Sequence, residues 1–232
     1  MALSERLAAA GAVGALLLGA SVTVAQIPPS AEDIERYRGL HAAAARDDAA
    51  EISRLLLAGA NAEARDGNGR TALHVAVFTA RAAAARALVA GGAQANALDG
   101  QRYDIVTIAA VRNDVAMLRL ALTLGASPRN VTSPYQGTAL IAAAHLGHDE
   151  AVRELIRAGA PLDHINNLGW TALLEAVILG DGGPRHVAVL RDLVRAGANP
   201  ALADRQGVSA LEHARKRGYT EMVAILDSAG RR

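Results

Sequence analysis

Between residues 151 and 157 the chain reads Ala-Val-Arg-Glu-Leu-Ile-Arg, and Val152, Leu155 and Ile156 recur at the spacing that gathers them on one face of a helix. One face packs and the other is wet. Segments of this kind lead repeatedly to a Gly-Ala pair: Gly59-Ala60, Gly92-Ala93, Gly125-Ala126, Gly159-Ala160 and Gly197-Ala198, with a last Gly at Gly230. The spacings are 33, 33, 34, 38 and 33 residues. A glycine in that place can enter the left-handed region and close a helix. A second series runs in phase with the first: Gly39-Leu40-His41, Thr71-Ala72-Leu73-His74, Asp104-Ile105-Val106-Thr107, Thr138-Ala139-Leu140-Ile141, Thr171-Ala172-Leu173-Leu174 and Ser209-Ala210-Leu211-Glu212. Thr71, Thr138, Thr171 and Ser209 can accept from the orphan N–H groups of a first helical turn. Each unit therefore predicts a turn carrying Asp or Asn with Gly, a capped Ala-rich helix, a break, and a second helix ending at Gly.

On these motifs the sequence resembles the ankyrin-repeat family, with its D-x-x-G-x-T-x-L-H-x-A opening and L-L-x-x-G-A close. Asp66, Gly67, Gly69, Thr71, Leu73, His74 and Ala76 fill the opening in the second unit. The resemblance covers about residues 39 to 230 and implies an all-α solenoid of about six helix-turn-helix repeats joined by β-hairpin-like loops. The units are 39–65, 66–98, 99–131, 132–165, 166–203 and 204–230. The usual Pro after Thr is Ala in every capped copy, His is kept only as His41 and His74, and Asp104 stands where Thr is expected. These departures are expected to weaken individual caps. For His41 and His74 the resemblance implies hydrogen bonding between neighbouring turns.

The fifth unit is the irregular one: Asp181-Gly182-Gly183-Pro184-Arg185 reads as a five-residue insertion between its helices. Residues 26–38 read as a lead-in that caps the array, with Ser30 as a candidate helix cap and Glu32 and Asp33 in the first turn. Arg215-Lys216-Arg217 and Arg231-Arg232 would cover the last unit. Ahead of the lead-in, Leu7 to Ala20 is an apolar run. Thr23 and Ala25 satisfy the small-residue rule for cleavage, and Pro28-Pro29 cannot continue a helix. Residues 1–25 are thus expected to be a signal peptide cut after Ala25, which implies a periplasmic or secreted product. The alternative is an uncleaved anchor.

Composition narrows the chemistry. Hydrophobic residues make up 51% of the 232-residue chain and aromatics 3%, so the core must be built from close-packed Ala, Leu, Val and Ile. Lys and Arg number 24 against 23 Asp and Glu, a net +1 that supplies no field for phosphate backbones. Nucleic acid is not expected as a partner. With no cysteine, disulfides, thiolate nucleophiles and Cys-ligated metals are closed routes.

Candidate sites were weighed against structural roles. His145 and His148 flank Gly147 at a helix boundary, off the one-face spacing of a zinc helix. Asp66-Gly67-Asn68-Gly69-Arg70 starts like a calcium loop, but Arg70 takes a ligand position and no closing Glu follows. Gly180-Asp181-Gly182-Gly183-Pro184 lacks the Lys-Ser or Lys-Thr of a phosphate loop, and reads as a flexible loop. No catalytic residues, metal or cofactor are expected.

The function implied by the resemblance is binding of a protein partner along a concave surface of hairpin tips and first helices. In that frame Arg70, Tyr103 and Trp170 stand just before the cap column, and Phe78, Val111, His145 and Ile178 lie along the first helices. These seven are expected to line a partner site, Trp and Arg being interface anchors. The other reading is that several merely pack between repeats. A monomeric, non-enzymatic, exported scaffold is expected, with no membrane contact after cleavage. Likeness to exported bacterial ankyrin proteins implies support of a periplasmic or stress-defence enzyme such as a catalase. A secreted effector acting on host proteins and an enzyme using the fifth-unit loop are the alternatives.

Overall fold

The computed structural model describes residues 26–230. The signal peptide expected over 1–25 and the terminal Arg231-Arg232 lie outside the described residues. Within them are thirteen α-helices and no strand. A short leading helix, α1 (Ala31–Arg36), precedes six pairs. The first helices are α2 (Gly39–Ala45), α4 (Ala72–Phe78), α6 (Ile105–Val111), α8 (Ala139–His145), α10 (Ala172–Ile178) and α12 (Ala210–Arg217). Their partners are α3 (Ala49–Leu57), α5 (Ala82–Ala90), α7 (Val115–Thr123), α9 (Asp149–Arg157), α11 (Pro184–Ala196) and α13 (Thr220–Ala229). Each first helix packs on its own partner and on the first helix of the next unit. Alanine at Ala43, Ala76, Ala109, Ala143 and Ala176 is fully buried, which lets these helices approach closely.

Caps set the register. Thr71, Thr138, Thr171 and Ser209 accept from the backbone N–H three residues on, as expected. Asp104 does the same for Thr107 at 2.8 Å, so its departure from Thr does not weaken the cap, because a carboxylate is as good an N-cap acceptor as a hydroxyl. Gly59, Gly92, Gly125, Gly159 and Gly197 all take the left-handed conformation that closes the first five second helices, whereas Gly230 after the last is right-handed.

The hairpins are closed by a side chain rather than by a ladder. Asp66, Asp99, Asn166 and Asp204 each accept two backbone N–H groups on Oδ1, from the residues two and four further on. Antiparallel pairing amounts to the isolated bridges Thr132–Gly137 and Ala203–Ser209. Successive hairpins then touch through backbone: Gly100 N–H donates to Asn68 O (3.1 Å), Ser133 N–H to Arg102 O (2.8 Å) and Asn167 N–H to Tyr135 O (2.9 Å). The first of these contacts needs glycine on both sides. A Cβ on Gly69 would stand 2.7 Å from Gly100 N, and one on Gly100 would collide with Asn68 O.

The fifth-unit insertion is only partly a loop. The linker Leu179–Gly183 is two residues longer than those of the first four units, and Pro184 opens a 13-residue α11 where the second helices of those units have nine. Proline suits that first position because its missing N–H would be unpaired anyway. Asp181 Oδ1 accepts from Gly183 N–H and from His186 Nδ1, so the segment is tied down instead of forming the expected flexible loop.

Histidines tie first helices to the turns beyond them. His41 Nε2 donates to Arg70 O (2.9 Å), and His74 Nε2 to Ala97 O (3.0 Å) while its Nδ1 accepts from Thr71 N–H. Burial holds the His74 imidazole down at about 4. Its unfolded value is near 6.5, so below that pH the unfolded chain takes up a proton that the folded chain refuses. Thermal melts should therefore show stability complete above pH 6.5 and falling, by up to about 3 kcal/mol, as pH drops through 4. His74→Asn should flatten that slope. Separately, Gly100→Ala should lower unfolding free energy by about 1–3 kcal/mol, read in a urea titration, because the methyl meets the neighbouring hairpin.

Candidate functional site

The hairpins and first helices of the third to fifth units enclose a groove of about 400 Å³. Tyr103, Ser133, Tyr135 and Trp170 come from the hairpins, Val111, Ile141, His145 and Glu175 from α6, α8 and α10, and Leu146 and Leu179 from the linkers after two of those helices. The walls are chiefly apolar, and Leu146 and Leu168 remain exposed at them.

On one wall, Glu175 is 4% exposed. Its Oε1 accepts from Asn166 Nδ2 at 2.8 Å, and its Oε2 lies 3.2 Å from His145 Nδ1. Asn166 has a double part, since its Oδ1 also closes the Trp170 hairpin by accepting from Leu168 and Trp170 N–H. Hairpin geometry and carboxylate placement are thus set by one side chain. Burial pushes the Tyr103 phenol up to about 12, so it stays protonated. The lead-in reaches the same face. Gln26 lines the groove, its amide Oε1 and Nε2 buried without a hydrogen-bond partner, and Ile27 N–H donates to Gln101 Oε1 at 3.0 Å.

Of the seven expected partner-site residues, the groove brings together Tyr103, Val111, His145 and Trp170. It does not include the other three. Phe78 is buried in the core and Ile178 packs against it. Arg70 is a correction: expected on the binding surface, it is 1% exposed and fully engaged. Its Nε donates to Asp66 Oδ2 (2.7 Å), Nη2 to Asp33 Oδ2 (2.9 Å) and Nη1 to Ile27 O (3.0 Å). Burial opposes its charge, but the bonds to Asp33 and Asp66 outweigh that and hold the guanidinium above its ordinary value. Burial likewise opposes ionisation of Asp66, yet hydrogen bonds from Tyr37 and Arg70 keep it below the usual carboxylate range. Arg70 is the clamp that fastens the lead-in to the second unit.

Sequence reasoning passed over Tyr135, Leu168 and Glu175 as site residues. A signal existed for two of them. The fourth hairpin is one residue longer than the others and carries Tyr135 at its tip, and Glu175 is the only acid in a first-helix column otherwise filled by Ala42, Val75, Ile108, Ala142 and His213. Among the described residues no three His, Cys, Asp or Glu side chains converge as metal ligands.

Comparison with known proteins places this geometry in context. A family model described as ankyrin repeats matches three copies, over residues 8–99 and 106–204. The Escherichia coli (strain K12) ankyrin repeat protein YahD is 37% identical over 125 residues, covering 53% of this chain and 61% of YahD, so the chain spans less than two thirds of that relative. An ankyrin repeat domain from Acinetobacter baumannii AYE superposes with a TM-score of 0.77 at 46% identity, covering 82% of this chain and 97% of that one. The ankyrin repeat domain of Bcl-3, a member of the IκB protein family, superposes at 0.74 with 27% identity over 84% of this chain and 87% of its own.

The clamp is testable apart from the groove. Arg70→Ala leaves Asp66 and Asp33 without their cation and should cost about 3–5 kcal/mol in a denaturant titration. Amide exchange over 27–38 should accelerate, while exchange in α8 and α10 stays protected.

Proposed function

The chain belongs to the ankyrin-repeat family, whose repeats are protein-interaction scaffolds, and from that premise we propose that it is an exported, non-catalytic module holding a protein partner in the groove of its third to fifth units. The observation that carries this reading is where the irregular residues lie. Residues that recur from unit to unit are spent on turns, caps and packing, whereas Tyr103, Tyr135, Leu168 and Trp170 differ between units and border one apolar groove. Aromatic side chains in a partly desolvated pocket are the makings of an interface hot spot. The exposed Leu146 and Leu168 supply apolar surface for a partner to cover.

Export is proposed from the sequence of residues 1–25, whose apolar run and small residues at Thr23 and Ala25 suit cleavage before Gln26. Among the described residues no helix is long and apolar enough to cross a membrane. The product would then act in the periplasm or the medium as a monomer that holds or protects another envelope protein, a stress-defence enzyme being the case considered first.

Fractionation of the native cells, with intact-mass measurement, should find a chain beginning at Gln26 outside the cytosol. An unprocessed cytosolic chain would overturn export. In copurification from the envelope, Trp170→Ala should weaken partner capture about thirtyfold, the size of a hot-spot loss. Its unfolding free energy should change by less than about 2 kcal/mol, because Trp170 is only partly buried. Undiminished capture by that variant would overturn the groove as the partner site.

A further inference from the structure

The charge pattern of the groove narrows the kind of segment it receives. Its lining contains one carboxylate, Glu175, and neither Lys nor Arg. That carboxylate has two bonded neighbours, the Asn166 amide at 2.8 Å and the His145 imidazole at 3.2 Å, and neither is a lysine or an arginine. They occupy two of about four lone-pair positions that a carboxylate offers. A charge held among apolar walls gains most from a counter-charge delivered with the ligand, since the local dielectric is lower there than in water. Tyr135 and Trp170 line the same space, and aromatic ring faces attract cations.

A second, independent feature concerns backbone. The amide of Gln26 is 8% exposed, lines the groove and has neither its Nε2 donors nor its Oε1 acceptor bonded, so it can meet both groups of a peptide unit. Beside the groove, side chains of the second and third units already hold extended chain. Ile27 N–H is bonded to the Gln101 side chain and Ile27 C=O to Arg70, with no regular secondary structure over 26–30.

We propose that the groove receives an extended segment of the partner protein that sets a basic side chain, Arg or Lys, against Glu175, with apolar residues on either side facing Leu146 and Leu168. This rests on the groove being the partner site. An acidic segment is rejected by like charge, and a wholly apolar one covers the Glu175 carboxylate with no partner beyond Asn166 and His145.

Trp170 is the only tryptophan in the chain, so its fluorescence reports binding in the groove directly. The purified chain would be titrated with acetyl-Leu-Arg-Leu-amide and with its citrulline counterpart, which keeps the shape and loses the charge. The arginine peptide should bind at least tenfold more tightly. Glu175→Gln, which keeps an acceptor for Asn166, should reduce that preference to less than twofold, with its melting curve confirming the fold. Equal affinities in the unsubstituted chain overturn the charge assignment without recourse to any variant, and so does a preference that survives Glu175→Gln. If both peptides bind equally and Trp170→Ala, titrated by calorimetry because it lacks the fluorophore, weakens both, the groove stands as the partner site and only the basic residue is refuted. If neither peptide perturbs Trp170 while the native partner does, the occupant is not a short basic segment.

Discussion

A helix of seven residues cannot stand alone, and every residue of α4, from Ala72 to Phe78, is buried. Nucleation cost makes so short a helix marginal in water, so it persists only when enclosed on all sides. Its own second helix, the first helices before and after it, and the hairpins supply that enclosure. Everything else follows from this nearest-neighbour dependence. Alanine faces allow close approach, caps and left-handed glycines end each helix where the next must begin, and buried polar groups have to find partners in adjacent units. His41 meets that demand with Arg70 O of the next unit, His74 with Ala97 O at the end of its own, and His148 with Ala110 O of the previous one.

Among the described residues the first and last units each have a neighbouring unit on one side only. At the first end the solution is ionic: Ser30 caps α1 and bonds reciprocally with Asp33, Asp33 pairs with Arg70, and Tyr37 donates to Asp66 at 2.7 Å. One guanidinium thereby joins the lead-in, the hairpin of the second unit and the backbone at Ile27. At the other end Tyr219 donates to Gly180 O at 3.0 Å and Arg217 bonds to Ile178 O, fastening the last unit to the lengthened linker of the fifth.

The parts legible in the sequence are those fixed by local chemistry. Thr71, Thr138 and Thr171 cap whatever helix follows them, and Gly59 through Gly197 take a conformation that side chains resist, so their columns revealed the period and the pairing of helices. The parts that misled depend on what lies across space. Arg70 stands in the same column as Trp170, yet its neighbour is the acidic lead-in instead of open groove, and nothing within its own unit announces Asp33. Phe78 falls on the first-helix stripe but is enclosed by flanking helices. Glu175 and Tyr135 become meaningful only once the fourth and fifth units are stacked and Asn166 is seen to hold both hairpin and carboxylate.

If recognition belongs to the irregular residues and the repeated ones serve the stack, a bound partner must leave its mark on one face. Hydrogen–deuterium exchange of the chain with and without its copurified envelope partner measures this most directly. The account predicts added protection in the hairpins at 132–137 and 166–170 and in the linkers after α8 and α10, with α9 and α11 unchanged. Protection confined to α9 and α11, with those hairpins untouched, would contradict it.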